Sequence, residues 1–181
     1  NENGEIKEQV YWDVLDHTVS KKDLSEDEIS KEILQELRTS VKLRKESDVP
    51  VGVFLSGGID SSTIAALFSE GEGKNVKTFC IGYDKEYGTY QNETGFAKLM
   101  AGEIGADYHE RLLNVDDPIE FLPKMIKLQD EPIADPVCMP LYYAAKLAKE
   151  NGVTVCQVGE GSDELFCGYE GWKRSINLQK L

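Results

Sequence analysis

Val51-Gly-Val-Phe-Leu-Ser-Gly-Gly-Ile-Asp-Ser-Ser-Thr63 is the stretch that decides the fold. It opens as a strand, because Val51, Val53, Phe54 and Leu55 are apolar and mostly β-favouring. A near-continuous apolar run of this length suits a strand covered on both faces, as in a parallel sheet. The chain then changes character at once. Ser56-Gly57-Gly58 predicts a tight turn. Residues 60–70 predict a helix with Ile59, Thr63, Ala66 and Leu67 along one side, and Gly71 is a suitable residue to end it.

A strand, a glycine-rich turn and a helix N-terminus make an anion site. Glycine lets the backbone approach closely, and the N–H groups of the first helical turn point outward with the helix dipole behind them. Ser56, Ser61 and Ser62 add hydroxyl groups, while Asp60 would repel a bare phosphate and makes more sense beside a bridging Mg²⁺. The spacing excludes the common nucleotide fingerprints: there is no G-x-G-x-x-G and no G-x-x-x-x-G-K-[ST]. A lone Ser-Gly-Gly would read equally well as a capped turn; the seven-residue run after a strand favours the anion site.

Outward from this stretch, strands and helices alternate. Ser25-Glu-Asp-Glu28 is a capping box that opens a helix with Ile29, Ile33, Leu34, Leu37 and Val41 on one face. Arg38, Lys42, Arg44 and Lys45 near its end read as a solvated, dipole-complementing cluster. Residues 76–82 form a second predicted strand, 83–91 a loop, 92–104 a helix and 106–113 a third strand. Asp117-Pro118-Ile-Glu120 predicts an N-cap with proline at the first helical position, and Pro123 a kink or restart. A helix from about Pro140 to Glu150 leads to a fourth strand over 153–158. The pattern predicts a parallel sheet with helices on both faces, whose ligands bind beyond the carboxyl ends of the strands. The first 24 residues read as a linker or docking strand.

A net charge of −13 over 181 residues argues against nucleic acid and against an anionic membrane surface as partners. No apolar stretch approaches the ~18 residues of a transmembrane span, and a cytoplasmic protein is expected. Cys80, Cys138, Cys156 and Cys167 form no C-x-x-C, and reduced thiols fit better than a disulfide or a metal site. His17 and His109 have no partner motif, and Trp12 and Trp172 read as packing residues. The chain starts Asn1-Glu-Asn without Met and reads as an excised segment.

A second constellation follows the fourth strand. Gly159-Glu-Gly-Ser-Asp-Glu164 sets three carboxylates around two glycines. Alone it is either an acidic loop with a helix cap or a cation site. It should lie on the same rim as Ser56-Gly57-Gly58, because both follow strands of one parallel sheet.

Ser56-Gly-Gly-Ile-Asp-Ser-Ser62 resembles the pyrophosphate loop of the N-type ATP pyrophosphatases, which have the adenine nucleotide alpha hydrolase-like (PP-loop) fold. Together with Gly159-Glu-Gly-Ser-Asp-Glu164 it is similar to the synthetase domain of the asparagine synthetase B family. Asp130-Glu-Pro-Ile-Ala-Asp-Pro136, Glu164-Leu-Phe-Cys-Gly-Tyr169 and the patch at Tyr11-Trp-Asp13 add to the likeness. The resemblance implies residues 1–24 as the remnant after a missing glutaminase domain, and 25–181 as a PP-loop synthetase domain incomplete at its C-terminus. It implies amidation of a carboxylate, aspartate above all, through an aspartyl-AMP intermediate with release of AMP and pyrophosphate. Leu55, Ser56, Gly57, Gly58, Asp60, Ser61 and Ser62 would then hold ATP phosphates and Mg²⁺. Ile81, as a strand-end backbone contact, would place adenine, Gly159 would lie near the nucleotide, Glu160 would assist catalysis, and Asp60 and Asp163 would bind Mg²⁺.

One departure accompanies the likeness: Val158 stands where the family commonly has Ser. The resemblance also implies a glutaminase domain with its amino-terminal cysteine, and later cationic residues of the synthetase domain, and these are expected to lie outside these 181 residues. The segment alone is therefore expected to be inactive. A homodimer is left open. Two other readings stand beside asparagine formation: an amidotransferase acting on a sugar acid of surface polysaccharides, and a non-catalytic ATP-binding domain.

Overall fold

The computed structural model describes residues 4, 6–20, 23–72, 76–86, 92–133 and 135–179. The chain forms two compact units, residues 1–36 and residues 37–181.

In the first unit no strand forms among the described residues. A 3-10 turn, Val14–His17, is capped by Asp13, whose carboxylate accepts the Leu15 N–H at 2.8 Å. Trp12 stacks on His17 with centroids 5.5 Å apart. The capping box forms as expected: Glu28 N donates to Ser25 Oγ at 3.3 Å and Ser25 N to Glu28 Oε2 at 2.8 Å. It opens helix α1, Glu26–Lys45.

The second unit is a four-stranded parallel sheet in the order β3-β2-β1-β4. The strands are β1 (Val51–Phe54), β2 (Lys77–Tyr83), β3 (Asp107–Leu113) and β4 (Val155–Gln157). Side chains alternate across the sheet, so each strand feeds two cores. On one face Val53, Cys80 and Val76 pack with Val41, Ala65, Phe68, Ala97 and Ala101. These come from the end of α1, from α2 (Ile59–Ser69) and from α3 (Thr94–Glu103). On the other face Phe79 packs with Ala148 and Val153, and Leu113 with Phe121 and Tyr143. Those helices are α4 (Asp116–Leu128) and α5 (Cys138–Glu150). Helices on both faces of a parallel sheet are what the alternating pattern predicts. No helix among the described residues is long and apolar enough to cross a membrane.

Several local expectations are corrected. The buried side of α2 is Ser61, Ala65, Leu67 and Phe68, while Ile59 is 81% exposed. The helix carries apolar residues all round, so periodicity alone did not select the face. Asp117 does not cap α4. Asn114 does, through Oδ1 accepting the Asp116 N–H at 2.8 Å, and α4 runs on through Pro123. The Asp117 carboxylate instead takes Arg111 Nη2 from β3 at 2.8 Å and the Asn114 N–H at 2.8 Å.

Helix α5 starts two residues before Pro140, because Asp135 accepts the Val137 N–H at 2.9 Å. The cationic cluster is not all solvated: Lys45 Nζ reaches the Phe68 carbonyl at 2.8 Å and Arg38 pairs with Glu70 at 3.0 Å, so both close the C-terminal end of α2. Beyond β4 come α6 (Ser162–Phe166) and α7 (Glu170–Gln179), the latter a helix that carried no clear sequence signal. Most of the expected loop over 83–91 and Ala134 of the acidic loop lie outside the described residues.

Candidate active site

The strand order reverses between β1 and β4: the chain builds outward from β1 through β2 to β3, then returns to β1's other side. A crevice opens at such a reversal, outside the carboxyl ends of the two strands. Residues 55–58 leave β1 there and residues 158–161 leave β4 there, so both motifs reach one rim.

The first loop is held from within. Leu55 is buried at 1% exposure, and its N–H donates to Phe79 O at 2.9 Å, closing the β1–β2 ladder. Ser56 Oγ lies 2.9 Å from Ser61 Oγ and accepts the Gly58 N–H at 3.2 Å. Gly57 has φ +94°, and a Cβ on it would stand 2.6 Å from Ala97 N and 2.8 Å from Glu93 O, at the start of α3. Only glycine fits there. Among the described residues no side-chain hydrogen bond caps the N-terminus of α2, and the positive end of its dipole lies where the chain leaves β1 for the crevice. Asp60 sits in that first turn, and its carboxylate has no partner among the described residues.

The second loop meets the first directly. A Cβ on Gly159 would stand 2.9 Å from Ser61 N, 3.0 Å from the Asp60 carbonyl carbon and 3.2 Å from Asp60 Cβ. Gly161 turns the chain with φ +89°, and Ser162 Oγ donates back to Gly159 O at 3.2 Å. Of the three acids, Glu164 is engaged: it accepts the Tyr169 hydroxyl at 2.8 Å, which pushes the Tyr169 pKa up. Asp163 lies against Gly168, whose missing Cβ leaves room for the Asp163 carboxylate. Glu160 is exposed.

The sequence model of the asparagine synthase family matches residues 32–180. The chain belongs to that family. Among curated relatives, an asparagine synthetase (glutamine-hydrolysing) of Bacillus subtilis is 39% identical over 154 residues, which is 85% of this chain and 24% of that protein. A putative asparagine synthetase of Methanocaldococcus jannaschii is 35% identical over 168 residues, 91% of this chain and 31% of that protein. The chain thus spans a quarter to a third of the length of these relatives. Among solved structures, the NH3-dependent NAD synthetase of Campylobacter jejuni aligns at TM-score 0.47 and 19% identity, over 81% of this chain and 61% of its own.

Within this asparagine synthase fold the candidate residues separate into two groups. Residues 55–62 and Gly159 form one contiguous rim, with Glu160 and Asp163 just beyond it. Ile81 stands apart and is not at a strand end, since β2 continues to Tyr83 and the Ile81 side chain packs beside Leu113 and Tyr143. Its backbone nevertheless lies beyond β1, whose ladder ends at the Phe54↔Phe79 pair. The residues missed from sequence lie at the start of α3: Glu93, just before it, and Ala97 within it wall the loop at Gly57, and only a tertiary contact reveals them.

Proposed function

We propose that this chain binds Mg-ATP at the β1–β4 crevice and serves ATP-dependent formation of an amide, with aspartate as the carboxylate and asparagine as the product. The observation that carries this reading is Gly159 seated on Asp60 and Ser61, which joins two motifs about a hundred residues apart into one rim. The α2 N-terminus suits the triphosphate, and the backbone of Ile81, beyond the end of the β1 ladder, would contact adenine.

The donor set suits magnesium. Mg²⁺ is commonly held by one or two carboxylates with phosphate oxygens and waters completing the shell. Asp60 and Asp163 would be those carboxylates. Among the described residues no group of three or more His, Cys, Asp or Glu gathers as a metal centre. When bound, the ion would neutralise phosphate charge that these acids would otherwise repel.

In this reading an oxygen of the substrate carboxylate attacks the α-phosphorus and the α–β bridging bond breaks, so pyrophosphate leaves. Ammonia then attacks the acyl carbon, loses a proton, and AMP departs with the bonding pair. Glu160, directly after Gly159, is the group to assist at the reacting centre. Both B. subtilis and M. jannaschii relatives are named glutamine-hydrolysing, so the ammonia is assigned to a glutaminase domain outside these residues.

Turnover is expected of the chain within a protein of its relatives' length, not of these 181 residues alone. The test is pyrophosphate release with Mg-ATP and ammonium, comparing aspartate with other carboxylates, sugar acids included. Release with aspartate and an asparagine product is expected. Release only with another carboxylate overturns the aspartate assignment, and absence of Mg-ATP binding overturns the site.

A further inference from the structure

Strand β2 runs on past the end of β1, and along that stretch one of its edges has no strand beside it. Backbone groups of a strand point alternately to its two neighbours. Phe79 O takes the Leu55 N–H at 2.9 Å, the last main-chain bond on the β1 side among the described residues. Asp84 N donates to Leu113 O at 2.9 Å on the β3 side. The alternation therefore turns Ile81 and Tyr83 toward β1, which has already ended at Phe54. Tyr83 O is nevertheless occupied, because Asn92 Nδ2 donates to it at 2.7 Å. The Ile81 N–H and C=O lie between two occupied carbonyls, those of Phe79 and Tyr83.

Packing fixes the place of Asn92. A Cβ on Gly82 would meet Thr94 Cγ2 and, at 2.8 Å, Asn92 Oδ1, so the chain entering α3 lies directly on β2. Only the carboxamide nitrogen can face a carbonyl, and Asn92 Oδ1 is left buried with no hydrogen-bond partner among the described residues. An orphaned buried acceptor costs stability, and such costs gather where a side chain serves more than the fold.

We propose that Asn92 is a positioning residue for base recognition: its carboxamide stands in for the missing strand, ties down the end of β2 and so presents the Ile81 N–H and C=O as the pair that selects adenine. The proposal rests on the ATP-site reading above, which gives Ile81 to the base, and adds the group that holds it in place. Adenine fits such a pair, its N1 accepting from the N–H and its amino group donating to the C=O. Hypoxanthine carries a proton on N1 and a carbonyl where adenine has the amino group, so both polarities are reversed. A site that hydrogen-bonds one edge rejects the reversed one.

Calorimetry with Mg-ATP and with Mg-inosine triphosphate tests this on the parent, Asn92→Ala and Asn92→Leu. The two nucleotides share sugar and phosphates. Leucine keeps the bulk over Gly82, which covers a failure of the alanine variant to fold. Loss of the carboxamide should cut the preference for ATP by roughly fivefold to tenfold, chiefly by weakening ATP. The same segment walls the phosphate loop at Gly57 through Glu93 O and Ala97 N. A merely structural role would therefore weaken both nucleotides alike, and an unchanged preference overturns the proposal.

Amide hydrogen exchange on the free chain gives a readout without ligand. Ile81 should exchange rapidly, while Gly82, turned into the β2–β3 ladder, is protected. Equal protection of the two overturns the open pair. The Asp84 amide should exchange faster in Asn92→Leu as the strand end frays, and unchanged exchange there overturns the tie. A parent chain that binds no Mg-ATP overturns the site reading and the base-selecting role together, and the Asp84 result distinguishes that failure from failure of the tie.

Discussion

Gly159 and Asp60 are packed so closely that a side chain on the glycine would put its Cβ 3.2 Å from the Cβ of the aspartate. The contact joins the loop after β4 to the first turn of α2, and the proposed site depends on it. Gly159→Ala must push against main chain, at 2.9 Å from Ser61 N. Overpacking of this kind costs about 1–3 kcal/mol. The expected outcome is a lower Tm together with Mg-ATP binding weakened at least about tenfold in the folded protein, read by calorimetry. Gly95→Ala is the control: its Cβ meets nothing within 4 Å in α3, so the change should stabilise by up to about 1 kcal/mol and leave binding unchanged.

Asp117 gives a pH signature. The Asn114 N–H holds its carboxyl below the ordinary value, Arg111 adds to this, and burial opposes them. A carboxyl whose pKa is lowered by folding contributes stability above its unfolded value, and that contribution is lost as pH falls through the folded one. Thermal melts from about pH 2.5 to pH 6 should show the parent losing Tm more steeply below pH 4 than Asp117→Asn. Parallel curves would remove the carboxylate from the account of acid sensitivity.

The thiols divide into two classes. Burial pushes Cys80 up to about 11 and Cys156 up to about 11. Both stay protonated at neutral pH, and the thiolate is the nucleophile. A maleimide at pH 7 should label Cys138 and Cys167 first, with Cys80 and Cys156 slower by about two orders of magnitude. Peptide mapping after timed quenching reads this directly, and four equal rates would contradict it.

Much of this was readable before any coordinates. Val51 to Leu55 with Ser56-Gly57-Gly58 is a local signal, because a strand, a turn and a helix start are encoded within a dozen residues. The capping box at Ser25 and Glu28 is equally local. What escaped depends on partners distant in sequence or on competing local groups. Asp117 has the residue type and following proline of a cap, but Arg111 on β3 draws its carboxylate away and Asn114 takes over. Lys45 looks like a solvated helix end until the carbonyl of Phe68 is brought beneath it. Pairing Gly159 with Asp60 required the strand order, which no local pattern states.

The most direct test of a shared nucleotide site is paramagnetic broadening by Mn²⁺ added with α,β-methylene ATP to the isotopically labelled chain. Manganese takes the place of magnesium among oxygen ligands and broadens amide resonances close to it. The account predicts simultaneous loss of signals from residues 57–62 and 159–163, reversed by excess Mg²⁺, with β3 and α4 unaffected. Broadening confined to one of the two loops, or spread over the acidic surface without preference, would contradict it.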